Sequence, residues 1–264
     1  MPLSYSQLST YRTCPKQYEY AFVQGIERQM SAGESYGVSM HSTLKKWGEL
    51  EMRYQKEHRT DERLTLFTEE HEHHQHASLD RRTLVNLWRE SFVGYGYASR
   101  TDQDCALKRG EAALVHFFDW WMQKPRTVLA VEKGFSLNSV ETKTVISGRF
   151  DRVEIENNQL HIIDFKTGSL PNKSQVDEDL QLSIYALAAE NLWQKPVASL
   201  SLLSVREEAC MELLTTRTSA QLEDAKAAIS QIDTRISAQD FAATPSHIAC
   251  KRCPYSEICS SSLA

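Results

Sequence analysis

The chain has 264 residues, 41% of them hydrophobic and 25% charged, with a net charge of −5 and a pI near 6.0. This is the composition of a globular protein long enough to bury a full core without disulfide or metal staples. No run of 18 apolar residues could span a membrane, and the opening Met1-Pro2-Leu3-Ser4 lacks the basic-then-apolar pattern of a secretory signal. The expectation is therefore a cytoplasmic protein without membrane association. The acidic balance argues mildly against a nucleic-acid partner, because phosphate binders are usually basic. That objection weakens for a carboxylate-rich site, where bound cations reverse the local sign.

In chain order, Ser4 to Phe22 reads as helix, capped by Ser4 or Ser6, with Leu8, Tyr11 and Tyr18 at helical apolar spacing. Pro15 should split it in two. Residues 36–58 read as a longer helix beginning after Gly33 and Gly37. The stretch 61–123 has no strand pattern, and a helical insertion is expected over about 50–125. It contains the run His71-Glu72-His73-His74-Gln75-His76, which could bind a metal but reads better as a solvated helix face.

The pattern changes after Pro125. Residues 128–135, 144–156 and 160–166 read as strands rich in Val, Ile and Phe, and Asn157-Asn158 marks a turn between the last two. These three should form an antiparallel meander. A helix follows from about Asp177 to Trp193, with Leu180, Ile184, Leu187 and Ala188 as its apolar stripe. Residues 197–205 and 210–216 read as strands, a helix capped by Ser219 runs to about Gln239, and the last 20 residues look irregular. The succession predicts one mixed α/β domain over residues 1–264.

The most informative stretch is Gly148-Arg149-Phe150-Asp151, followed by Ile163-Asp164-Phe165-Lys166-Thr167-Gly168. Strand side chains alternate, so Asp164 and Lys166 share a face while Ile163 and Phe165 take the other. A turn at Asn157-Asn158 pairs residues whose numbers sum to about 315, which sets Asp151 opposite Asp164. Facing carboxylates repel unless a cation lies between them. Hard oxygen ligands suit Mg²⁺ or Mn²⁺, which can generate hydroxide and stabilise charge on a phosphate. A nearby lysine can orient the water or neutralise developing charge.

A lone Asp-x-Lys is usually a surface salt bridge. Three further features favour chemistry here: Glu132 in the preceding strand as a further possible ligand, Gln181 and Tyr185 four apart on one helix face, and His41 after Gly37-Val38-Ser39-Met40.

Taken in order, Gly37-x3-His41, Gly148-Arg149-Phe150-Asp151, Ile163-Asp164-Phe165-Lys166-Thr167-Gly168 and Gln181-x3-Tyr185 resemble the PD-(D/E)XK nuclease superfamily, in its RecB-like branch. Asp164 stands where many members have Glu, which that branch allows. The resemblance implies a restriction-endonuclease-like core, a mixed central sheet flanked by helices. It further implies that His41, Asp151 and Asp164 hold Mg²⁺ or Mn²⁺, that Lys166 is catalytic, and that Gln181 and Tyr185 shape the DNA side. The implied activity is a metal-dependent deoxyribonuclease, of exonuclease type on single-stranded DNA or DNA ends, in repair, recombination or defence. No helicase segment is recognisable, so if the chain acts as RecB-type enzymes do, a helicase or other repair or defence protein in a separate chain would supply the motor.

Six cysteines stand at 14, 105, 210, 250, 253 and 259. Nothing suggests export, so disulfides are not expected. The spacing Cys250-x2-Cys253-x5-Cys259 selects zinc or an iron–sulfur cluster, and ligand chemistry alone does not choose between them. With Cys14 in Tyr11-x2-Cys14-Pro15-x2-Tyr18, the set resembles the iron–sulfur members of the same branch, such as AddB nuclease domains and CRISPR-associated exonucleases. That implies a [4Fe-4S] cluster on Cys14, Cys250, Cys253 and Cys259. Cys210 reads as a core residue, Cys105 has no assigned role, and His161 reads as structural. The rival readings are a non-catalytic nucleic-acid-binding module on this fold and a zinc-stabilised interaction protein.

Overall fold

The structure, a computed structural model, describes residues 2–64, 79–123, 127–138 and 144–264, and the side chains of all of these except 59–64. The histidine run at 71–76 lies outside the described residues.

A two-residue strand, β1 (Leu3–Ser4), leads into α1 (Tyr5–Thr13). Ser4 and Gln7 form a reciprocal cap: the Gln7 N–H donates to Ser4 Oγ at 3.2 Å, and the Ser4 N–H to Gln7 Oε1 at 2.7 Å. The helix stops at Cys14, which is extended (φ −163°, ψ 115°) because a residue before proline is barred from helical geometry. Then follow α2 (Pro15–Tyr18) and a π-helical turn over Glu19–Val23.

The next helix, α3 (Ala32–Leu64), begins earlier than the glycines suggest. Ser31 and Glu34 cap it reciprocally, at 2.9 and 3.3 Å, so Gly33 and Gly37 fall inside the helix. Two further helices, α4 (Arg81–Ser91) and α5 (Arg100–Met122), occupy the described remainder of the segment expected to be helical.

The meander is present as β2 (Thr127–Asn138), β3 (Val145–Glu156) and β4 (Gln159–Lys166), with both hairpins antiparallel. Asn157 (φ 48°) and Asn158 (φ 63°) make the left-handed turn that two-residue hairpins prefer. It fixes the register anticipated from the sequence: Val153 pairs with Ile162, and Arg152 with Ile163. Two helices, α6 (Lys173–Asp177) and α7 (Leu180–Trp193), replace the single one expected. They cross to β5 (Val197–Val205), parallel to β4, and β6 (Cys210–Thr215) returns antiparallel. After α8 (Ser219–Ser237), a short α9 (His247–Arg252) stands within the tail expected to be irregular.

The six strands form one mixed sheet in the order β1-β3-β4-β5-β6, with β2 on the other edge of β3. Apolar residues fill both faces. Phe150, Ile162, Leu182 and Ile229 belong to the core under α1, α7 and α8, while Ile163, Phe165, Trp47 and Trp88 belong to the core under α3, α4 and α5. Along one edge of β3, β1 pairs with Ile146 and Ser147, and β4 pairs with residues 152–156. Residues 148–151 lie between these two partners, and there the sheet edge opens.

Candidate active site

Asp151 stands at that opening. Its ladder with β4 ends one residue earlier, and the carboxylate takes over the next donor: the Phe165 N–H donates to Asp151 Oδ2 at 2.8 Å. Asp151 Oδ1 lies 3.4 Å from His41 Nδ1, which α3 brings across the sheet. Glu132 completes the cluster, since one donor atom from each of His41, Glu132 and Asp151 lies within 4.8 Å of the others. Glu132 has a left-handed backbone (φ 45°) in the middle of β2, an uncommon and costly geometry for a residue with a side chain. The β2–β3 register, Val131 with Arg152 and Lys133 with Phe150, sets this position opposite Asp151.

Asp164 is 3% exposed and borders this group. Its Oδ1 accepts from Gln181 Nε2 at 2.9 Å, and the Tyr185 hydroxyl lies 3.2 Å from the same atom. Its Oδ2 lies 2.7 Å from Lys166 Nζ, a largely buried ion pair. Lys166 Nζ donates to Gln181 Oε1 at 3.0 Å. Gln181 therefore holds the acid and the base at once, through its NH₂ and its carbonyl.

The electrostatics mark a site short of cations. Burial pushes the Asp164 carboxyl above its ordinary range, the nearby Asp151 charge pushes it further, and Lys166 opposes both. Burial and Asp151 likewise raise Glu132. Burial works against the charged form of His41, yet the hydrogen bond and charge of Asp151, with Asp164 and Glu132 behind it, hold its proton more tightly than usual. Three clustered donors, with carboxyls that hold their protons more tightly than usual, fit a divalent cation held by oxygen and imidazole ligands. His41, Glu132 and Asp151 would be the donors, with the Asp164 carboxylate close enough for its charge to act on His41.

Several sequence expectations shift in detail. Asp164, paired with Asp151 in the expected ligand set, lies outside the compact group, and Glu132, considered only as an addition, lies inside it. Tyr185 is 4% exposed, and its hydroxyl donates to the Arg149 carbonyl at 2.9 Å. The structure thus sets Tyr185 behind the carboxylates, where it braces them, not on an open face toward substrate. Two basic residues that were not singled out flank the cluster: Arg149 Nε lies 3.6 Å from Glu132 Oε2, and the charge of Lys45 is felt by the same carboxylate. His161 shares a hydrogen bond with Ser199 Oγ at 2.8 Å. Cys210 is half-buried against the core of α3 to α5, and burial with the nearby Glu212 pushes its thiol up to about 12.

Cys14, Cys250, Cys253 and Cys259 line one cavity between the two ends of the chain. Burial opposes ionisation of Cys14, but N–H groups of Thr244, Gln17 and Lys16 directed at its sulfur outweigh it and lower its pKa. Burial raises Cys253, and the nearby Cys14, Cys259 and Cys250 raise it further. No three of these sulfurs lie within 4.8 Å of one another. Cys105 is exposed on α5, away from this group.

The chain is 24% identical over 213 residues to the Gene 69 protein of Mycobacterium phage L5, covering 71% of this chain and 70% of that protein. Among solved structures, the chain is similar to the crystal structure of SSO0001 at 18% identity and a TM-score of 0.37, over 51% of this chain and 62% of that one. The sequence model of the PD-(D/E)XK nuclease superfamily matches residues 2–260, which takes in every residue discussed above, and the chain belongs to that superfamily.

Proposed function

We propose that the protein is a Mg²⁺- or Mn²⁺-dependent deoxyribonuclease of the RecB-like kind, acting on single-stranded DNA or DNA ends. The observation that carries the reading is the joining of Asp151, His41 and Glu132 on one side with the Asp164–Lys166–Gln181 chain on the other. A divalent ion held by the carboxylates and His41 would supply an activated water and offset charge on the phosphate. Asp151 is fixed by the Phe165 N–H and Asp164 by Gln181, so both carboxylates are oriented in advance. Lys166, held by Gln181 and about one-third exposed, can turn its ammonium toward a water or a non-bridging phosphate oxygen. Arg149 and Lys45, both beside the Glu132 carboxylate, would offer positive charge to a strand's neighbouring phosphates.

The test is an assay on labelled linear and circular DNA, single- and double-stranded, with Mg²⁺, Mn²⁺ or EDTA. Cleavage of linear single strands that EDTA abolishes is expected. Binding without cleavage under every metal condition would favour a non-catalytic nucleic-acid module and overturn this reading.

We further infer that the four cysteines hold a [4Fe-4S] cluster and not zinc. Zinc binds thiolates at about 2.3 Å, so a tetrahedral site draws its sulfurs to within roughly 4 Å of one another. These four sulfurs line a common cavity without any three of them gathering within 4.8 Å, which suits a polynuclear cluster.

Two further results are expected. His41→Ala should weaken cleavage less than loss of a carboxylate, and added Mn²⁺ should restore much of it, since His41 supplies one donor among several. Full loss that Mn²⁺ does not relieve, with normal metal affinity in calorimetry, would count against a ligand role. Metal binding should also depend on pH. His41, Glu132 and Asp164 all hold protons more tightly than usual, and a ligand must release its proton to bind. Mn²⁺ affinity should therefore climb from about pH 5.5 to 8, beyond the ordinary carboxylate range, with proton release visible in buffers of different ionisation enthalpy. A flat affinity over that range would contradict the coupling.

A further inference from the structure

Three charged side chains lie out of water between α3 and the sheet. Arg152 is 1% exposed, Glu51 3% and Glu154 4%. The Arg152 guanidinium donates from Nη1 and Nη2 to the two oxygens of Glu51, at 2.7 and 3.0 Å, and from Nε to Glu154 Oε1 at 2.6 Å. Burying three ions costs desolvation, and a well-packed apolar trio commonly holds a helix to a sheet as well or better. Adhesion alone is therefore a poor explanation. What a bidentate guanidinium–carboxylate fork adds is geometry, because a slip or rotation of the helix leaves buried charges unpaired.

The ties that accompany it lie on one helix face. His41, Gly48, Glu51 and Gln55 follow one another at steps of seven, three and four residues. A Cβ on Gly48 would come within 2.5 Å of Val131 Cγ1, so only glycine lets α3 approach β2 this closely. Further along, Gln55 Oε1 accepts the Val128 N–H at 3.1 Å. The contact points adjoin the metal candidates in sequence: Val131 precedes Glu132, and Arg152 follows Asp151. His41 is the one donor that comes from another layer, about 15 Å along the helix from Glu51. A tilt of α3 by roughly 10° about Glu51 would move His41 by about 2–3 Å over that arm. That is enough to lose its 3.4 Å contact with Asp151.

We propose that the Arg152–Glu51–Glu154 triad is a positioning device for the metal centre: it sets α3 on β2 and β3 so that His41 meets Asp151 and Glu132. The proposal rests on reading that donor cluster as the metal site. Its test measures Mn²⁺ affinity by calorimetry, the Mn²⁺ concentration that half-activates cleavage, and the melting temperature. Arg152→Met, folded by circular dichroism, should bind Mn²⁺ roughly 10- to 100-fold more weakly, the usual effect of losing support behind a ligand, and should recover most of its kcat when Mn²⁺ saturates.

Gly48→Ala gives a second route if Arg152→Met does not fold. Alanine favours the helix itself, so a lower affinity would report seating and not helix loss. Adding Val131→Ala makes room for the new methyl and should restore the affinity. A folded Arg152→Met or Gly48→Ala protein with wild-type Mn²⁺ affinity would overturn the proposal, as would a Gly48→Ala defect that Val131→Ala does not relieve. Wild-type protein that binds no Mn²⁺ would instead overturn the metal-site reading on which the proposal stands.

Discussion

Lys166→Ala should reduce DNA cleavage by at least roughly 10²- to 10³-fold, the scale for removing one charge-stabilising donor from a site of this kind. Mn²⁺ affinity should fall far less than on loss of a carboxylate, since Lys166 is no ligand and acts on the metal only through the protonation of Asp164. The geometry makes the separation clear. Lys166 Nζ bridges Asp164 Oδ2 at 2.7 Å and Gln181 Oε1 at 3.0 Å, so its removal leaves the carboxylates where Phe165 N–H and Gln181 hold them. It also leaves Asp164 buried without its cation, and the Asp164 carboxyl should then hold its proton still more tightly. Asp151→Ala and Asp164→Ala should abolish cleavage by a different route, through lost metal affinity. A purified Lys166→Ala protein with full activity would sink the catalytic assignment, and so would an Asp164→Ala protein that cleaves normally at limiting Mn²⁺.

The second large effect concerns the cysteine cavity. Cys253→Ala should lose the brown colour and broad visible absorbance expected of an iron–sulfur protein, melt at lower temperature, and expose both termini to protease. Joining Cys14 to Cys250, Cys253 and Cys259 closes nearly the whole chain into a loop, worth on the order of 5 kcal/mol in the chain-entropy picture. The measured loss should be smaller, because the two ends are tied by other contacts. Tyr11 donates to the Asp240 carbonyl, Tyr255 to the Ile26 carbonyl at 3.1 Å, and Tyr18 stacks on Phe241 with ring centres 6.0 Å apart. Iron and sulfide analysis of anaerobically purified protein decides the occupant. Stoichiometric zinc without sulfide would refute the cluster and keep the clip. Absence of metal, with unchanged melting of Cys253→Ala, would refute both.

Local features of the sequence determined much of this protein. Asn157-Asn158 demands a tight left-handed turn, and that turn alone sets the register that brings Asp151 and Asp164 to one end of a hairpin. Pro15 ends α1 at Cys14, and the alternation from Ile162 to Lys166 assigns each side chain to a face. These are short-range constraints, and a sequence carries them directly. Helix starts were less legible: Gly33 and Gly37 looked like boundaries, but the Ser31–Glu34 cap places them inside α3.

What only the tertiary structure decided depends on contacts between distant segments. Glu132 joins the donor cluster because β2 pairs along β3 in the register that sets it opposite Asp151, and no local pattern fixes how those two strands align. Tyr185 lies behind Asp164 because α7 packs its apolar faces against the sheet, whereas helix periodicity gives only the face it shares with Gln181. Arg152 and Glu154 read in the sequence as ordinary strand charges. They become a buried clamp because Glu51, a hundred residues earlier, crosses the sheet at that point, and no local pattern records where a helix will cross.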